Sequence, residues 1–151
     1  MKRLLLWRVL GKKMALLSVL LLWAGCSTKT ASKPMEESRL KPLVLLYGQY
    51  TGQHMGKPPA NEQEFRDFVS RQTAFLQQFQ ISDSSQLFIS ERDGKPYKVV
   101  YGGDRSPGQL LGAPIVAWEQ DGVNGKRFVG NTLGAVKEVS EDEFRQLTKA
   151  P

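Results

Sequence analysis

In the stretch "LFISERDGKPYKVVYG", residues 87–102, the spacing of apolar residues changes from a helical period to a strand period. Its centre holds Asp93 and Gly94, a pair suited to the left-handed positions of a tight turn, and the flanking runs "LFIS" and "YKVVYG" predict a β-hairpin. Upstream, in "RLKPLVLLYGQYTGQH", Leu40, Leu43, Val44, Tyr47 and Tyr50 recur at helical spacing, and Pro42 fits only the first turn. Gly48 and Gly52 each weaken that helix by about 1 kcal/mol relative to alanine, so packing must hold it. "GKPPANEQEF" ends the helix at Gly56 and restarts at Asn61, with Glu64 at capping-box spacing. Phe65, Phe68, Val69, Leu76 and Phe79 then make one face of a second helix running to about Gln80.

Downstream, the loop "GGDRSPGQLLGA" leads into strand "PIVAWEQ", turn "DGVNG", strand "KRFVG", turn "NTLG" and strand "AVKEVS". Ser140 and Glu143 repeat the capping-box spacing and open a short helix that carries Phe144 and Leu147 inward. Helices segregated from strands predict an α+β domain: N-terminal helices packed on a small antiparallel sheet of four or five strands, closed by a short C-terminal helix.

The N-terminus reads differently. "MALLSVLLLWAG", residues 14–25, is uncharged and follows Lys2, Arg3, Arg8, Lys12 and Lys13. As a helix it would reach roughly 18 Å, short of the roughly 30 Å of a hydrocarbon core. A basic segment, a short apolar segment and then small residues form the layout of an export signal. With those five cations set aside, 16 of the chain's 21 basic residues face its 15 acidic ones, so the excess charge belongs to the leader and nucleic-acid binding loses its main support.

Ala24 and Gly25 immediately before Cys26, the one cysteine, resemble a bacterial lipoprotein signal, with Trp23 where that family usually has an aliphatic residue. The resemblance implies cleavage after residue 25, acylation of Cys26 and a membrane anchor through the N-terminal lipid. Ser27, in place of an inner-membrane retention aspartate, implies the outer membrane or periplasmic face of the cell envelope. Residues 26–38, polar with Pro34, read as a lipidated flexible tether, and 39–151 as a single domain.

Three segments in order resemble the globular domain of type II secretion major pseudopilins and other type IV pilin-like proteins, including small secreted proteins of planctomycete type. They are "YTGQHMGKPPANEQEF", the hairpin "ERDGKPYKVVYGG" and a C-terminal region with glycine-rich turns. The resemblance covers about residues 39–103. The long assembly helix and processing site of that family are missing, and its calcium loop does not carry over, since "EQDGVNG" offers only Glu119, Asp121 and Asn124 without EF-hand spacing.

No nucleophile elbow, paired metal histidines or phosphate loop stands in the sequence, so no cofactor, metal or catalytic residue is expected. His54, the sole histidine, is expected either to cap or to face solvent near a helix C-terminus. The expected role is a non-catalytic envelope lipoprotein that contacts an envelope protein. The alternative is a small-molecule or polysaccharide binding module on the 102–112 loop, with Asp104, Arg105 and Trp118 as ligand-binding residues.

Overall fold

Helix α1, Leu40–Gln53, is apolar on more than one side, and its surroundings follow from that. Leu40, Leu43, Val44 and Leu46 are wholly buried and Tyr47 and Tyr50 nearly so, which requires cover from both a sheet and other helices. In the computed structural model of the chain residues 38–149 are described. The readings of 1–25 as a signal, of Cys26 as acylated and of 27–37 as tether lie outside the described residues.

Asn61 caps helix α2, Glu62–Ser70, by accepting a hydrogen bond from the Glu64 backbone. The expected single helix to Gln80 is broken at Gln72, and α3, Thr73–Gln78, follows as a separate piece. The next inward positions after Phe65, Phe68 and Val69 would be Gln72 and Thr73, which are polar, so the chain re-aims before Leu76 is buried. "LFIS" is not a strand either. Asp83 accepts from the Ser85 backbone and starts a 3-10 turn, Ser84–Phe88, that buries the adjacent Leu87 and Phe88 together. Only an isolated bridge, Ile89 to Pro96, remains of the first arm of the hairpin.

The sheet has five antiparallel strands: β1 Lys98–Val99, β2 Gln109–Leu110, β3 Ala113–Trp118, β4 Lys126–Asn131 and β5 Val136–Ser140. Their order is β1-β3-β4-β5, with β2 also pairing β3. A bulge in β3 between Ile115 and Ala117 places Val116 and Ala117 together on one face, and Ile115 and Trp118 on the other. The first face meets α1 with Phe128 and Val136. Gly130 lies so close to α1 that a Cβ would sit 2.5 Å from Val44 Cγ1. The second face, with Leu110, Ile115, Val129 and Val139, is covered by helix α4, Glu141–Thr148, through Phe144 and Leu147. The domain is therefore α+β, a sheet between an N-terminal helical layer and one short C-terminal helix. Among the described residues no helix is long and apolar enough to cross a membrane.

Candidate functional site

The 102–112 loop does not assemble the expected trio. Asp104 and Arg105 are exposed and neither side chain has a hydrogen bond or ion pair among the described residues. Trp118 points to the other layer, its ring 6.1 Å from Phe144 under α4. The loop is fixed at its ends: the Gly102 backbone donates to Pro59 O at 2.7 Å, and Ser106 Oγ lies 2.7 Å from Gly108 O and 2.8 Å from Ile115 O.

The largest polar assembly joins the 90–96 turn to the β3–β4 connection. Asp93 Oδ2 accepts from the Asp121 and Gly122 backbones at 3.2 and 3.0 Å, and Oδ1 from Lys95 at 2.9 Å. Burial pushes the Asp93 carboxyl up, but these backbone donors outweigh it and hold it below the usual carboxylate range. Lys95 pairs with Asp121, which raises the lysine. Beneath them Glu119, 0% exposed, accepts from Ser90 Oγ and the Phe128 backbone, each at 2.8 Å. Arg92 lies 3.7 Å from Glu119, 2.8 Å from Glu138 and flat over the Phe128 ring. Two of the three "EQDGVNG" side chains set aside as calcium ligands, Glu119 and Asp121, are thus spent on protein partners. Among the described residues no three of His, Cys, Asp and Glu come together to hold a metal ion.

A second cluster lies where α1 ends. His54 caps the helix as expected, Nδ1 being 2.7 Å from Tyr50 O and its ring stacked on Tyr50 at 3.9 Å. The Tyr50 hydroxyl donates to Glu64 Oε1 at 2.6 Å, and Glu64 Oε2 accepts from the Ala60 backbone. The Glu64 bond, with burial second, pushes Tyr50 up to about 12, and that same bond draws Glu64 down. The pair holds its protons the ordinary way round at neutral pH, which makes it a clasp between α1 and α2.

What remains is apolar and exposed. The β2–β3 turn carries Leu111, 72% exposed, and the β4–β5 turn Leu133, 79% exposed. The two turns lie side by side at one end of the sheet, because Asn131 Nδ2 donates to Leu110 O and Thr132 N to Pro114 O. Asn131 Oδ1 also accepts from the Leu133 and Ala135 backbones, so a single buried side chain sets both tips. Leu111 has φ +52, a left-handed conformation that suits glycine or asparagine and costs a leucine about 1 kcal/mol. Neither leucine was singled out in the sequence. The available signal was a large aliphatic residue at a hairpin position that favours asparagine or aspartate.

No protein-family model, curated protein or solved structure matches this chain. The class defined by its own geometry is an α+β domain with large apolar side chains exposed at Leu111 and Leu133 on two adjacent turns and, apart from them, at Met55 after α1 and Ile89.

Proposed function

We propose that this is a non-catalytic cell-envelope lipoprotein, anchored by lipid on Cys26, whose α+β domain acts as an interaction module. The observation that carries the reading is the pair Leu111 and Leu133, held out on adjacent turns, one at backbone strain that no packing offsets. Strain kept where the fold gains nothing points to a contact made outside the fold.

The patch is small. Covering two leucines supplies about 3–6 kcal/mol, whereas association from free solution costs roughly 4–15 kcal/mol. Such a patch suits a chain already confined to a surface, which is what the lipoprotein-like leader supplies. The pilin-like resemblance adds an envelope setting.

The test is labelled palmitate incorporation and membrane fractionation of the intact chain and of Cys26→Ala. The intact chain is expected to take up label and float with membranes, and the variant to appear in the soluble fraction after cleavage. A variant that is cleaved and still floats would remove the anchor from this reading. A photo-crosslinker at position 133 is expected to give adducts in the envelope that one at Asp142, on the far side of α4, does not.

A further inference from the structure

Resting on the anchored reading above, we infer that the tip formed by Leu111 and Leu133 seats on the bilayer that holds the chain's own lipid, with a preference for anionic headgroups. Four observations support this occupant. Both leucines project from turns tied together by Asn131, so they enter an interface as one rigid wedge. The two turns and the strand ends that carry them, residues 109–115 and 130–136, contain no charged residue.

Lys41 brings a cation to this end, its Nζ bonded to Gly134 O at 2.7 Å beside the Leu133 turn. An acid-free apolar tip with Lys41 beside it matches the depth profile of an anionic interface, with hydrocarbon below and phosphate above. Of the acids on the helical layer, Glu62 is engaged by Arg66 and Glu64 by Tyr50 and Ala60. At the opposite end of the sheet the acids are paired with cations, Glu91 with Arg39, Asp121 with Lys95, Glu119 and Glu138 with Arg92, and Glu141 with Arg127.

The third observation is reach. The stretch from Cys26 to Ser38 can extend to about 40 Å at roughly 3.3–3.6 Å per residue, against about 21 Å for the whole of α1 at 1.5 Å per residue. A domain tethered this way can bring its leucine end down on the same leaflet. The fourth is size: two leucines are too little surface for a stable dimer, which buries about 800 Å² on each partner, and enough for a tethered domain to lean on lipid.

The experiment uses the full acylated chain reconstituted in vesicles of phosphatidylethanolamine with phosphatidylglycerol. An environment-sensitive fluorophore is placed through Leu133→Cys, or through Asp142→Cys as control, since acylation leaves no other free thiol. The expected result is co-flotation, blue-shifted emission at position 133 that shallow spin-labelled lipid quenches, and water-like emission at 142. Adding Leu111→Asn, which relieves strain and keeps the fold, is expected to lower the seated fraction roughly tenfold. Neutral phosphatidylcholine vesicles should give a smaller shift.

Water-like emission at both positions in a chain that co-floats would overturn this inference and leave the anchored reading standing. A shift at 133 that arises only when envelope proteins are added would also overturn it, in favour of a protein partner. A chain that does not co-float reports failure of the anchor itself.

Discussion

At the scale of single residues, the fold places its polar groups where they can be tested one at a time. Asp93 is the clearest case. Its folded-state acidity is strengthened, so its contribution is fully present above the unfolded pKa of about 3.9 and is lost as pH falls through the lower folded value. Asp93→Ala is expected to lower stability by about 1–2 kcal/mol at neutral pH. In urea titrations the gap between the variant and the parent chain should close as pH drops below 4. Glu119→Ala removes the buried acceptor shared by Ser90 and the Phe128 backbone, and it should cost more, about 3–5 kcal/mol, by the same measurement. Leu111→Asn should move the other way, gaining about 0.5–1 kcal/mol by relieving a leucine at φ +52. Asp93-Gly94 was legible in the sequence as a turn. Its role was not, because the turn's partners lie 28 and 29 residues further along the chain and no local pattern names them.

At the scale of elements, α1 offers a sharp contrast between two glycines that look equivalent in sequence. A Cβ on Gly48 would lie 2.7 Å from Thr132 O, whereas nothing stands within 4 Å of one on Gly52. Gly52→Ala should therefore stabilise the domain by about 0.5–1 kcal/mol. Gly48→Ala should destabilise it by about 1–3 kcal/mol despite the same gain in helix propensity. Thermal melts of the two variants give opposite signs if this packing is right. The caps at Asn61 and Ser140 were legible, each accepting from the backbone three residues on, whereas the cap at Asp83 was not. Neither capping box closes: Glu64 accepts from the Ala60 backbone and the Tyr50 hydroxyl, and Glu143 accepts from Lys137. The first hairpin arm was misread because the alternation that marks a strand is hard to judge over four residues. The Asp83 and Ser85 side chains upstream favour a wound turn.

At the scale of the whole molecule, the order of helices and strands was enough to give the α+β class, since segregated elements leave few ways to bury one sheet. The second core was less visible. Helix α4 has no fully buried residue and holds to the sheet through Phe144, Leu147 and the paired Arg127 and Glu141. Hydrogen exchange should show α4 opening well before β4, and Phe144→Ala should widen that difference while Phe65→Ala lowers the stability of the whole domain. The bulge in β3 has a bearing on chain length. The run Ile115, Val116, Ala117, Trp118 is apolar throughout because both faces of β3 are covered, and one residue in it is supernumerary to the ladder. Ile115 opposite Asn131 and Ala117 opposite Gly130 would be neighbours in an uninterrupted strand. Val116 is thus the position in β3 where the gene could lose a codon without shifting any downstream pairing. The loss would take one buried side chain, the Val116 carbonyl that accepts from the Val100 backbone at 2.9 Å and some local twist, whereas a codon lost from β4 would turn the following residues to the wrong face.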